Sequence, residues 1–229
     1  MKVVMVEPGQ YARITEIEDT LEAKQAAVGG LITCAYPWEE LVCIVANDEG
    51  LINGMPLNRY VEDYQVLAGP FFICGLTEDD FCSLTDEQAE RYCQMFLRPE
   101  LFLNHGEKWM RIPYDDPNLP GAPEEVAERI NQRKGFPDLC FAATPDTGDL
   151  FMLRYGKTTY CPLVPQSSHK SGQECADALN EQVGVSKAQQ AAMLYGWASG
   201  WELRIPPSRF EENGQIKTTP NKTKEREER

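Results

Sequence analysis

Leu31-Ile32-Thr33-Cys34-Ala35-Tyr36-Pro37-Trp38-Glu39-Glu40-Leu41-Val42-Cys43-Ile44-Val45-Ala46 holds two apolar or β-branched runs joined by a very short link. A parallel crossover needs a dozen residues or more, so the two runs read as antiparallel strands, with Pro37 breaking the chain between them. Asn47-Asp48-Glu49-Gly50 bounds the second run, and Gly69-Pro70 opens a third, Phe71-Phe72-Ile73-Cys74-Gly75-Leu76. Val3-Val4-Met5-Val6 reads as a further strand. Two helices accompany this sheet. Asp19-Thr20-Leu21-Glu22 reads as a capping box whose helix Gly29 and Gly30 close. Thr85-Asp86-Glu87-Gln88 is a second capping box, followed at helical spacing by Ala89, Tyr92, Cys93, Phe96 and Leu97. The expected class is α+β in two small domains. The first, residues 1–98, is a mainly antiparallel sheet with two packed helices.

Pro99, Pro113, Pro117, Pro120 and Pro123 fix φ and remove donors, which predicts a linker without regular structure over 99–123. A second unit, 124–213, is expected beyond it. It comprises a helix near 123–133 and a hairpin with strands 138–143 and 149–155 around Pro145-Asp146-Thr147-Gly148. Two capped helices follow, opened by Ser171-Gly172-Gln173-Glu174 and Ser186-Lys187-Ala188-Gln189. The last of these has apolar residues on every side and should be buried. Residues 214–229 offer nothing to pack and are expected to form a disordered tail.

Residues 1–100 hold 18 acidic and six basic residues, 6 − 18 = −12, whereas the remainder carries 16 − 18 = −2 of the total −14. So uneven a charge argues against nucleic acid or an anionic membrane as a direct partner and for a basic protein. The apolar start is shorter than a signal peptide's core, and no later apolar run approaches the ~18 residues of a membrane span, so an intracellular protein is expected. Eight cysteines lie too far apart in sequence for a Cys-x-x-Cys pair, and free thiols are expected.

No motif names a reaction. Gly156-Lys157-Thr158 resembles the end of a phosphate loop, but the position that needs the first glycine is Phe151. His105 and His169 are the only imidazoles, and Ser167-Ser168-His169-Lys170-Ser171 cannot form an oriented triad from adjacent residues. No metal site and no cofactor is called for, and no catalytic residue is assigned. Candidate binding residues remain. Arg59 with Asn58, at the mouth of the Gly54-Met55-Pro56 turn, reads either as a clamp for a carboxylate or phosphate or as an internal ion pair. Glu78, Asp79 and Asp80 form an exposed acidic turn. Trp197 and Trp201 share a face if the helix continues, as core or as a contact patch.

Val28-Gly29-Gly30-Leu31-Ile32, Asn47-Asp48-Glu49-Gly50, Gly54-Met55-Pro56-Leu57-Asn58-Arg59 and Gly69-Pro70-Phe71-Phe72-Ile73 resemble, in order and spacing, a family of uncharacterised proteins from phages and conjugative elements of Gram-positive gut bacteria, over residues 1–98. Residues 138–214, through Gly184-Val185-Ser186-Lys187-Ala188-Gln189-Gln190-Ala191-Ala192-Met193 to Gly200-Trp201, are similar to a C-terminal module of accessory proteins on such elements. The resemblance implies a mobile-element gene product in bacterial cytoplasm, where counter-defence functions are common. The expectation is a non-catalytic protein that binds a basic host protein, a nuclease or other defence component, by acidic mimicry of nucleic acid. A regulatory or scaffolding adaptor is the alternative, and a small enzyme holding a nucleotide or phosphate through Arg59 is the third reading.

Overall fold

The computed structural model describes residues 1–62, 64–105, 108–165 and 169–217. In chain order the elements are β1 (Lys2–Val6), β2 (Arg13–Glu16), α1 (Leu21–Val28), β3 (Ile32–Ala35), β4 (Val42–Asn47), β5 (Leu57–Val61), β6 (Gln65–Ala68), β7 (Phe71–Leu76), β8 (Phe81–Cys82) and α2 (Asp86–Met95). They continue as β9 (Glu100–His105), β10 (Lys108–Pro113), α3 (Glu124–Gln132), β11 (Leu139–Ala143), β12 (Leu150–Arg154), β13 (Tyr160–Pro162), α4 (Gly172–Gln182) and α5 (Lys187–Ala198). The class is α+β, as the sequence predicts.

The first sheet runs β2-β1-β7-β4-β3 with β8 beside β7, and every pair is antiparallel. It is covered on both faces. Val4, Val6, Ile44, Ala46, Phe71 and Ile73 pack against Ala89, Tyr92 and Phe96 of the α2 side. Val3, Met5, Cys43, Val45, Phe72 and Cys74 pack with Val28 of α1. Double coverage explains why β1, β4 and β7 read as continuous apolar runs rather than alternating ones. Thr85 forms the expected capping box with Gln88. At α1 the cap is Thr20 itself, accepting from the Ala23 amide, one position later than the sequence suggested.

Regular structure does enter 99–123. β9 and β10 form a hairpin in which Pro113 ends a strand instead of interrupting one. Its Leu101, Leu103 and Ile112, with Tyr114, join the second core, beside Phe141, Leu153, Leu179 and Met193. A smaller cluster ties the halves together: Tyr11 packs with Val126 and Ile130 of α3.

The second core is built on the antiparallel sheet β11-β12-β13, of which the sequence foresaw the first two strands. Both Ser171 and Ser186 form their predicted capping boxes. Helix α5 buries one stripe, Gln190, Ala192, Met193 and Gly196, rather than its whole surface. Strand β11 is an edge whose central residue, Phe141, has its outward groups capped by side chains. The Phe141 amide donates to Asn180 Oδ1 at 2.8 Å, and its carbonyl accepts from Asn180 Nδ2 and Gln190 Nε2, both at 2.8 Å. These caps interrupt, at mid-strand, the ladder that the edge would offer to another strand. Gly184 ends α4 at φ 69°, and a Cβ there would lie 2.1 Å from an Asp116 carboxylate oxygen. No other residue type fits so close an approach.

Candidate functional site

Asn58 and Arg59 are buried at 0% and 1% exposure, in strand β5. The Asn58 amide donates to the Val6 and Gly69 carbonyls at 2.9 and 2.8 Å. Arg59 donates from Nε to the Phe96 carbonyl at 3.2 Å and from Nη2 to the Gln10 carbonyl at 2.7 Å. Its Nη1 donates to the backbone and side-chain oxygens of Asn58 at 3.2 and 2.9 Å. Burial pushes the guanidinium down to about 10, opposed by the charges of Glu100 and Tyr114, so it stays protonated at neutral pH. The fork expected to clamp a ligand is thus turned inward onto carbonyl oxygens, and among the described residues no acid is hydrogen-bonded to it. It fastens β5 to the strand-end loops of the first sheet and to the exit of α2.

Beyond Arg59, Tyr60 and Glu62 are exposed, while Val61 between them is buried in the first core. Tyr60, Val61 and Glu62 line a cleft of about 350 Å³ with Trp38, Phe96, Glu100 and Arg111. Glu100 accepts from the Tyr60 amide at 2.9 Å and pairs with Arg111 Nε at 3.0 Å, and the Arg111 guanidinium lies 5.6 Å from the Tyr60 ring centroid. Burial holds the Glu100 carboxyl above its usual range, against the Tyr60 amide and the Arg111 and Arg59 charges. With its one inward carboxylate already engaged, the cleft is suited to binding rather than to proton transfer. Sequence reasoning missed it because its residues come from five separate segments.

The acidic turn sits at one end of the first sheet. The register aligns Lys2 with Glu16, and Val42 with Gly75, so the loops after β2, between β3 and β4, and after β7 emerge together. They carry Glu18 and Asp19, then Glu39 and Glu40, then Glu78, Asp79 and Asp80, with Asp86 and Glu87 of α2 alongside; all of these are exposed. The Leu84 amide donates to the Lys2 carbonyl at 3.0 Å, which brings the start of α2 to the same end. The bases here are committed: Lys2 to Asp86, Lys24 to Asp19 at 2.6 Å, and Arg91 to Glu40. Glu78, Asp79 and Asp80 form no such pair among the described residues. Their turn is closed by Thr77 and Asp80, whose carboxylate accepts from the Phe81 amide at 2.7 Å. The second half of the chain attaches at the opposite end, through Tyr11 and Arg98.

Trp197 and Trp201 do not share a helix face. Helix α5 stops at Ala198, and Trp201 turns back at φ 67° with its amide donating to the Gly196 carbonyl at 2.7 Å. Its ring covers Gly196 and its Nε1 donates to the Lys157 carbonyl at 3.0 Å. Trp197 is half-buried and stacks on Tyr160, 6.0 Å between centroids. Trp201 belongs to the core, and Trp197 packs against it.

Among the described residues no three His, Cys, Asp or Glu side chains are grouped to hold a metal ion, all eight cysteines are free, and no helix is long and apolar enough to cross a membrane. Ser167, Ser168 and the tail from 218 onward lie outside the described residues. No curated protein and no solved structure matches the chain. Residues 1–97, from β1 through α2, match a family described as a domain of unknown function, DUF3846.

Proposed function

We propose that the chain is a non-catalytic accessory protein of a mobile element that engages a basic host protein through the acidic end of its first sheet. One observation carries this reading: exposed carboxylates from several loops converge at that end while its few bases are already paired. Glu78, Asp79, Asp80, Asp86 and Glu87 remain exposed there. A net −12 equals the charge of about 20 Å of duplex, at one charge per ~1.7 Å. A 100-residue unit is roughly 30 Å across, so it can present that charge to a groove built for DNA. The bacterial, counter-defence setting rests on the resemblance of residues 1–98, and cytoplasmic action follows from it. An enzyme working through Arg59 draws no support from a guanidinium turned inward.

The test is competition. A host nucleic-acid-binding protein captured by the chain should release it when duplex DNA is added, and its association should slow steeply between ~50 and ~300 mM salt. Capture that survives saturating DNA with a salt-independent on-rate would replace mimicry with the adaptor reading.

A further inference from the structure

Where the two halves meet, Arg98, Arg129 and Arg133 pair with two carboxylates among the described residues, Asp115 and Asp138, and Arg154 lies beside Asp138. Arg98 pairs with Asp115 at 2.9 Å and approaches Asp138 at 3.9 Å. Arg129 contacts Asp115 and lies 3.5 Å from Asp138, and Arg133 pairs with Asp138. Arg154 is brought beside them by the ladder, since Leu139 pairs with Arg154 and the Tyr155 amide donates to the Asp138 carbonyl at 2.8 Å. The formal sum is 4 − 2 = +2, an island of positive charge in a chain of −14.

Arg154 differs from its neighbours. It is half-buried, yet among the described residues its side chain makes no hydrogen bond or ion pair. None of its nitrogens is sealed from solvent, so water serves them in the unliganded chain and an anion that supplies oxygen atoms can take the water's place. Burial first and the like charge of Arg98 second hold its pKa below the usual arginine value. Arg98, Arg129 and Arg133 keep 42%, 37% and 29% of their side-chain surfaces in solvent, so the island is reachable from outside.

We propose that this cluster is a binding site for a small phosphate-bearing anion, with Arg154 presenting its planar fork to the phosphate oxygens and Arg98 and Arg133 flanking it. The strongly acidic first half disfavours a long polyanion, so the occupant is a small phosphate ester or polyphosphate rather than a nucleic acid. This site is independent of the acidic end and does not rest on the partner reading above.

Titration of the full chain with inorganic tripolyphosphate at ~150 mM salt, followed by calorimetry and thermal melting, tests the assignment. Saturable binding with a raised Tm is expected. Arg154→Gln should weaken it by about tenfold or more, the loss expected for one charge-assisted hydrogen-bonding partner, while leaving the unliganded melt intact. Should that variant fold poorly, Arg154→Lys keeps the charge, loses the fork, and should still bind more weakly. Lys187→Gln, the same charge change on the α5 surface, should bind as the parent does. Three results would overturn the proposal: no binding by about 10 mM ligand, equal binding by the parent and both Arg154 variants, or an equal loss in Lys187→Gln. Duplex DNA binding at Arg154 more tightly than tripolyphosphate would overturn the small-ligand assignment.

Discussion

The two ends of the first sheet hold their charges in opposite ways. At the far end the Arg59, Tyr11 and Asp115 side chains are buried: Arg59 ties Gln10, Asn58 and Phe96 together within the first half, and Tyr11 and Asp115 join the two halves. At the acidic end the carboxylates stand in solvent; Lys2–Asp86 and Arg91–Glu40 are surface pairs that contribute little to stability, and only Lys24, which holds Asp19, is buried. Charge at one end builds the fold. At the other it remains available to a partner.

Arg59→Met should give the largest effect. It strips four oxygen acceptors of their donor, and at ~1–3 kcal/mol for each buried group left unsatisfied the loss should exceed about 3 kcal/mol in urea unfolding. A loss under ~1 kcal/mol would mean that water replaces the guanidinium and that this end is not the keystone.

Tyr11→Phe comes next. The Tyr11 hydroxyl donates to Asp115 at 3.1 Å and accepts from the Asp116 amide at 3.1 Å, so its removal should cost about 1–2 kcal/mol. Limited proteolysis of that variant should speed cleavage within 99–123 more than elsewhere, because the seam between the halves loosens. Uniformly faster cleavage would argue for one cooperative unit instead of two.

The triple variant Glu78→Gln, Asp79→Asn, Asp80→Asn should stay within about ±0.5 kcal/mol of the parent. Its association with a basic partner should nevertheless slow while dissociation changes little. A folded variant with an unchanged on-rate would move the contact away from this turn.

Glu40 gives the smallest expected effect. Hydrogen bonding from Tyr92, aided by Gln88 and Arg91 and opposed by slight burial, holds its carboxyl below the usual range. A depressed carboxyl contributes stability that is present above its unfolded pKa and is lost as pH falls through the folded one. Parent and Glu40→Gln should therefore differ by a few tenths of a kcal/mol at pH 7, and the gap should close as pH falls below the usual carboxylate range and through the lowered folded pKa. A gap that does not shrink at all on acidification would trace the effect to packing rather than charge.

Strands β1, β3, β4 and β7 and helix α2 were legible because burial and capping leave marks at fixed spacing. Strand β2, Arg13-Ile14-Thr15-Glu16, left none, since a half-exposed edge strand needs no apolar run. The hairpin β9–β10 was hidden by prolines that flank its strands. Asn58 and Arg59 stood out correctly as unusual, but their partners lie as far as 52 residues away, and nothing local says whether a fork points in or out. Arg154 offered no signal at all: its charged neighbours Arg98 and Asp138 belong to two other segments.

The side-chain cover on strand β11 has a consequence in time. Phe141 precedes Asn180 by 39 residues, and at ~5–20 residues per second of synthesis the strand waits about 2–8 s for its cover to emerge. Until then the growing chain shows an apolar strand with a bare edge, the species that recruits chaperones or other copies of itself. Asn180→Ala would extend that interval through the whole life of the protein, so its soluble yield in cells should fall further than its unfolding free energy suggests.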